Sequence, residues 1–333
     1  MKKISLATLA FAAAAASVPA QAQSNVTVFG VVDLAARSVK NNDTQYQLAA
    51  SGLTSSRLGF RGVEDLGGGL KAGFHLEGAL NADDGNASGF NWQRRATVSL
   101  MGGFGELRLG RDKTPNGTMP DDFDPFSNTG MGASGTMLSS ATAGLPYNTF
   151  TRASNSIGYF SPNVGGFSSH AMVAAGEGTA GAKYTGIRGN YRLGGWAMSA
   201  AYGQTEVSPA IDAKLYDLGL SYDMKTLKLF AKYSRLTAGA PSQDDYLVGV
   251  LVPLGAFDLR ASYEIMKGKG SIANQEGKKY AFGGAYNLSK RTAIYGTYAD
   301  ISNTNTSFRV AGNNPLTRGN DSSGYELGVR HSF

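Results

Sequence analysis

The chain has 333 residues, with 31 basic and 25 acidic side chains and a formal net charge of +6. This mild basic excess lacks the clustered positive charge of a nucleic-acid-binding protein, so no nucleic-acid partner is predicted. Cysteine is absent, which excludes a disulfide-stabilised secreted scaffold, and the 16 Tyr and 16 Phe argue against disorder.

Residues 1–22 are predicted to be a cleaved secretory signal peptide. A short positive region, Met1–Lys3, precedes the apolar, Ala-rich run Ile4–Ser17 and the small-x-small cleavage site Ala20–Ala22. A membrane anchor would need roughly 20 apolar residues, and this run is too short. Residues 23–333 would form the exported protein, with 29 basic and 25 acidic residues and a net charge of +4.

The body of the chain alternates apolar and polar residues. In residues 214–222, Tyr216, Leu218 and Leu220 share one face, while Asp217 and Ser221 lie on the other. A period of two indicates strands, and the same pattern recurs in 227–234, 257–265 and 278–288. The polar face suits a water-filled lumen and the apolar face suits lipid. The fold class is therefore predicted to be all-β, a transmembrane antiparallel β-barrel, because a closed barrel pairs every backbone polar group within the bilayer.

Short and long connections alternate along these strands. The predicted short turns are 65–69, 102–105, 162–166, 193–195, 223–226, 252–255 and 288–290. The predicted long outer loops are 38–54, 81–89, 112–150, 178–183, 206–213, 238–244, 268–276 and 301–322. Together they require about sixteen strands of roughly 9 to 12 residues, as in an outer-membrane barrel with an open aqueous channel.

The third outer loop, 112–150, has no regular period and is rich in Gly, Pro, Ser, Thr and Asn. It carries Asp121, Asp122 and Asp124 just before Pro125. A segment of this length without secondary structure is usually functional or disordered. We predict that it folds into the mouth of the barrel and sets what passes through.

The last strand ends on an aromatic residue. Tyr325, Leu327, Val329 and His331 share one face with the final Phe333. This ending resembles the signal read by the barrel-insertion machinery, which is therefore a predicted partner along with outer-membrane lipid and lipopolysaccharide. The three histidines, including His75 and His170, show no nucleophile–base–acid spacing. The sequence thus predicts no enzyme activity, no cofactor and no metal site.

Several motifs together resemble one family. They are Val26–Asp33 (VTVFGVVD), Ser56–Gly62 (SRLGFRG), Glu64–Ala72 (EDLGGGLKA), Leu109–Arg111, Asp124–Phe126 and Gly328–Phe333. The chain resembles the general-diffusion porins of Gram-negative bacteria, of beta-proteobacterial type. The resemblance implies a sixteen-stranded barrel in the cell outer membrane, assembled as a homotrimer, with the third outer loop folded inward.

Charged residues of the lumen follow from the strand faces and from the resemblance. Alternation directs Arg57, Arg61, Arg108 and Arg152 inward, together with Lys71, His75 and Glu77. The resemblance implies a constriction of Arg57, Arg94 and Arg152 with Glu77 beside them, facing Asp124 on the loop. Alternation favours Arg95 over Arg94, so that choice stays open. Arg61, Arg95, Arg108, Asp121 and Asp122 are further lumen candidates.

This arrangement predicts passive transport of small hydrophilic solutes and ions. Opposed charges across a narrow pore create a transverse field that penalises apolar solutes, and rings of one sign bias conduction. Three arginines, with Lys228 and Lys232 also predicted inside, favour anions moderately, unless Asp121 and Asp122 point into the pore and offset them. The alternative is a substrate-specific channel for small carboxylates or similar anions.

Overall fold

The computed structural model describes residues 25–85, 91–140, 147–208 and 211–333. The predicted signal peptide, 1–22, lies outside these ranges. Within them, no helix is both long enough and apolar enough to cross a membrane.

The strands are β1 (Asn25–Lys40), β2 (Thr44–Ala50), β3 (Arg57–Gly67), β4 (Leu70–Ala79), β5 (Arg95–Gly102), β6 (Gly105–Lys113), β7 (Arg152–Phe160), β8 (Phe167–Ala174), β9 (Tyr184–Leu193), β10 (Trp196–Ser208), β11 (Ile211–Asp223), β12 (Lys228–Ala238), β13 (Ser242–Leu254), β14 (Phe257–Lys269), β15 (Glu276–Asn287), β16 (Thr292–Thr304) and β17 (Ser322–Ser332).

These strands form one closed antiparallel sheet in which each pairs with its neighbours in sequence, and β1 closes the ring on β17. β2 and β3 occupy a single position in the barrel. β2 pairs with residues 34–40 of β1, and β3 pairs with residues 25–31 of the same strand. Because 17 segments fill sixteen positions, the predicted sixteen-stranded barrel is confirmed.

Side-chain burial follows the predicted alternation. On β11, Leu218 is 55% exposed on the outer surface, whereas its neighbour Asp217 is 3% exposed on the inner side. Phe282 on β15 and Leu259 on β14 are likewise exposed. The outer wall is therefore a continuous apolar surface, and the polar side chains are turned inward, as the period of two requires.

The connections at one end of the barrel are as short as predicted, and two of the outer loops at the other end are shorter than predicted. All seven predicted short turns fall between the expected strands. Of the outer loops, the first spans only residues 41–43 and the sixth only 239–241. The prediction of a long first loop, 38–54, was wrong because the polar segment Thr44–Ala50 continues the backbone ladder with β1. Ladder pairing uses backbone groups, so a polar sequence does not end it.

The third outer connection runs from Lys113 to Arg152 and is not wholly irregular. It contains the short helices Asn116–Thr118, Met119–Phe123, Gly135–Ser140 and Tyr147–Thr151. Helices of three to six residues are too short to show a period in the sequence.

This segment lies inside the barrel. Phe123 covers Gly219 on β11, Pro125 covers Gly249 on β13, and Phe126 covers Gly283 on β15. A Cβ atom at any of these glycines would overlap the loop, so the bare backbone is what allows the close approach. Met131 and Met137 join Phe126 in an apolar cluster that also includes Phe308 and Val310 of the last outer loop. The loop is thus packed against the β11–β17 wall.

Candidate pore constriction

A cavity of about 470 Å³ lies between the inward loop and the barrel wall. Its polar lining is dominated by cations: Arg57, Arg94, Lys113, Arg152, Arg260 and Arg330. Its acids are Asp121 and Asp258, and Ser127, Asn128 and Thr129 of the loop complete one side. A second cavity of about 340 Å³ shares Arg57, Arg94 and Arg152 with the first, so the two are contiguous.

The three arginines expected at the constriction lie together with Glu77. Arg94 Nε donates to Glu77 Oε1 at 2.5 Å, and Arg152 Nε donates to the Arg94 carbonyl at 3.0 Å. The Arg57 side chain interacts with Glu77 and Asp121 through charge alone and has no hydrogen bond among the described residues. It is therefore the guanidinium group of the three that is not held by a hydrogen bond in the described part of the chain.

Arg94 and Arg95 both reach the lumen. Arg94 lines both cavities, and Arg95 lines the second one, where it donates to Thr97 Oγ1 at 3.1 Å and lies 3.7 Å from Asp112 Oδ1. β5 begins at Arg95, so Arg94 precedes the strand and does not obey its alternation. The sequence left open whether Arg94 or Arg95 faces the lumen, and in the structure both side chains do.

Asp124 is not placed on the cavity surface. It is 1% exposed, and its carboxylate accepts the backbone N–H groups of Phe126 at 2.8 Å, Asn128 at 3.1 Å and Ser134 at 2.8 Å. The turn after Pro125 folds these donors back onto the carboxylate, which holds the loop together. The loop acid that lines the cavity is Asp121, which is paired with Lys113.

The other lumen candidates lie away from the main cavity. Asp122 Oδ2 pairs with Arg188 Nη2 at 2.5 Å, which ties the Met119–Phe123 helix to β9. Arg108 pairs with Glu106 at 2.9 Å and Asp112 at 2.5 Å and lines the second cavity. Asp122 thus does not offset the positive charge of the main cavity.

Arg61 extends the basic wall toward the short-turn end. It lies 5.2 Å from the Phe29 ring and lines a third cavity with His75 and Arg95. Basic side chains therefore continue below the constriction on the β3–β6 side of the lumen. Their arrangement agrees with the strand faces assigned from the sequence.

The two lysines predicted inside differ in environment. Lys232 is 5% exposed beneath the loop, where its Nζ donates to Ser134 Oγ at 3.1 Å. Lys279 is also beneath the loop and donates to the Ala133 carbonyl at 2.6 Å. Lys228 lies 4.8 Å from the Phe230 ring. Lys232 is inside the barrel as predicted but anchors the loop and does not face the passage.

Three cavity cations were not singled out from the sequence. Arg260 and Arg330 alternate with the outward Leu259 and Val329. The alternation of side chains along a strand (the face rule) therefore already directed them inward. Lys113 follows an irregularity of β6 between Gly110 and Asp112, where Gly110 has φ +124°. The face rule gives direction but not height along the barrel, which explains why these residues were missed.

Comparison with known proteins decides the family. A model described as "Gram-negative porin" matches residues 7–306. The chain belongs to the Gram-negative porin family. It is therefore an outer-membrane porin, a channel without enzymatic activity.

Relatives of this porin cover nearly its whole length. Outer membrane porin protein 32 of Delftia acidovorans is 37% identical, over 98% of this chain and 99% of the relative. An outer membrane porin protein of Bordetella pertussis is 29% identical, over 90% and 94%. Among solved structures, the anion-selective porin from Comamonas acidovorans matches with a TM-score of 0.86 and 36% identity, covering 93% of this chain and 100% of that one. The trimer form of OmpT from Vibrio cholerae shares the fold, with a TM-score of 0.69 and 14% identity over 93% and 99%.

Proposed function

We propose that this porin is a general-diffusion channel that passes small hydrophilic solutes and ions and moderately prefers anions. The observation that carries the proposal is the charge of the main cavity. Among the described residues, six cationic side chains line it against two carboxylates, and Glu77 adds a third carboxylate through its pair with Arg94. The local net charge is therefore about +3, and a positive pore raises the concentration of anions within it.

The constriction we propose consists of Arg57, Arg94, Lys113, Arg152, Arg260 and Arg330 on the wall and Asp121 on the loop. Glu77 holds Arg94 at 2.5 Å and leaves Arg57 unpaired. Asp124 contributes indirectly, since its three backbone hydrogen bonds set the course of the loop. The similarity to a porin described as anion-selective supports the same sign of selectivity.

A substrate-specific channel for small carboxylates is the second candidate. It is favoured by the convergence of six cations and the side chains of Ser127, Asn128 and Thr129 on one cavity of about 470 Å³. A carboxylate there could accept charge-assisted hydrogen bonds from several guanidinium groups at once. Such a site would delay its ligand, whereas a diffusion pore would not.

Reconstitution in planar bilayers under a KCl gradient tests the first proposal. The reversal potential is expected to have the sign of an anion-selective channel, and a cation-selective value would refute the assignment. Titration with succinate separates the two candidates. Block of the chloride current at micromolar succinate would favour the substrate-specific channel, and an unchanged current favours general diffusion.

We also propose a homotrimer and a signal peptide removed after Ala22. A trimer form is described for the related Vibrio cholerae barrel. Crosslinking in detergent micelles, followed by electrophoresis, should give a band of three subunits. The intact mass of the purified protein should equal that of a chain that begins at Gln23.

A further inference from the structure

The interruption between β2 and β3 forms an inward arch, residues 51–56. Here the strand leaves the ladder with β1 and resumes six residues later at Arg57. Leu53, Thr54 and Ser55 line the main cavity, so the arch lies on the lumen side of the wall. It supplies part of the lining of this cavity together with the loop residues Ser127, Asn128 and Thr129.

One buried carboxylate holds the arch. Asp33 on β1 is 0% exposed. Its oxygens accept the backbone N–H groups of Gly52 at 3.1 Å, Leu53 at 3.0 Å and Thr54 at 2.6 Å. The Asp33 backbone is tied to Ser56 as well, since Ser56 Oγ donates to the Asp33 carbonyl at 3.0 Å and accepts from its N–H at 2.9 Å. A carboxylate that accepts several N–H donors fixes backbone more strongly than a neutral acceptor does.

Tyr295 on β16 completes this support. Its hydroxyl donates to Asp33 Oδ1, and its ring lies against Gly52 and Gly328. A Cβ at Gly52 would overlap the Tyr295 ring and hydroxyl. The arch can therefore lie this close to Tyr295 only because residue 52 has no side chain. The arch is thus supported by Tyr295 and Asp33, neither of which is among the described residues that line the main cavity.

The tip of the inward loop rests on the same arch. Gly130 has φ +67°, and a Cβ there would overlap the Gly52 carbonyl. The N–H of Met131 lies 3.5 Å from Glu326 Oε1, and Glu326 is held by Arg37 at 2.5 Å. The tip of the loop therefore packs directly against the arch, and both segments line the main cavity.

We propose that the arch is a second constriction element, with Asp33 and Tyr295 as its positioning residues. It sets the size of solute that passes, while the arginine cluster sets the preferred charge. This inference rests on the proposed diffusion function, because a size limit has meaning only for an open passage.

The test uses four variants of the full-length porin in planar bilayers. Leu53→Ala shortens a side chain that lines the cavity and also packs against the cluster of Ala35, Ala285 and Tyr295, and it leaves the hydrogen bonds from the arch backbone to Asp33 intact. Asp33→Asn replaces one accepting oxygen by an N–H donor that faces the arch N–H groups, and Tyr295→Phe removes a donor to Asp33. Tyr298→Phe is the matched control, since Tyr298 lies on the same strand and its hydroxyl contacts Asp300 at 3.4 Å on the exposed side.

The measured quantity is the permeability of gluconate relative to chloride. Leu53→Ala and Asp33→Asn are expected to raise this ratio by about twofold or more, since a wider opening admits the bulkier anion. Tyr295→Phe should shift it in the same direction by less, and Tyr298→Phe should match the parent porin. The sign of the KCl reversal potential should stay unchanged in all four.

Leu53→Ala keeps the inference open to refutation even if Asp33→Asn does not fold. A gluconate ratio unchanged in Leu53→Ala, in a parent porin that conducts and selects anions, overturns the role of the arch alone. A fifth variant, Leu53→Trp, should lower the ratio, and an increase would count equally against the proposal. A parent porin that is closed or cation-selective would instead overturn the proposed function.

Discussion

Reversing the charge of Arg57 is expected to weaken anion preference with little structural cost. The Arg57 side chain lines both constriction cavities and has no hydrogen bond among the described residues, whereas Arg94 donates to Glu77 and Arg152 donates to the Arg94 carbonyl. Arg57→Glu therefore changes the local net charge from about +3 to about +1 without removing a hydrogen bond, and the only interaction lost among the described residues is the charge attraction of Arg57 for Glu77 and Asp121.

The size of the effect follows from Coulomb's law. Two unit charges about 6 Å apart in water interact with about 0.7 kcal/mol, so a change of two charges is worth about 1.4 kcal/mol for each passing ion. Screening over a Debye length of about 10 Å at 0.1 M salt reduces this to about 0.8 kcal/mol. Because the change disfavours anions and favours cations by the same amount, the ratio of anion to cation permeability should fall roughly tenfold.

The assay is the reversal potential of single channels under a gradient centred on 0.1 M KCl. Arg291→Glu is the matched control, because this substitution makes the same change of charge in the exposed turn between β15 and β16. The control should keep the parent value. If Arg57→Glu also kept it, the Arg57 side chain would not act on passing ions and the reasoning would fail.

Other expectations concern the loop and the salt dependence. Asp124→Ala leaves the buried N–H groups of Phe126 and Ser134 and the partly buried N–H of Asn128 without their acceptor, at about 1–3 kcal/mol for each buried group, so proteolysis within the loop should accelerate while the reversal potential stays unchanged; a large shift in selectivity would mean that Asp124 faces the pore. Lys279→Met removes the donor to the Ala133 carbonyl, and single-channel current noise should increase; a noise level equal to the parent would show that this contact does not hold the loop. Anion preference should fall steadily between 0.01 M and 1 M KCl, as the Debye length shrinks from about 30 Å to about 3 Å; a constant ratio would exclude long-range charge as its cause.

Much of the site was accessible from the sequence because side-chain direction in a strand is a local property. Arg57, Arg61, Arg108 and Arg152 face the lumen as the alternation predicts. The same rule gave Arg95, and it failed only for Arg94, which precedes its strand. The length of the first outer loop was overestimated, since polar residues continue a backbone ladder as readily as apolar ones.

The sequence by itself determined the barrel, the number of its strands, the inward faces and the position of the third loop, because a period of two and turn residues act over a few neighbours. Only the tertiary structure decided which charges meet. Arg260 and Arg330 join Arg57 at one height although some 200 residues or more separate them in the chain, and Asp121 rather than Asp124 faces them. Height in a barrel depends on strand tilt and stagger, and the orientation of a loop acid depends on which backbone donors fold back onto it. Neither is encoded in any single stretch of the chain.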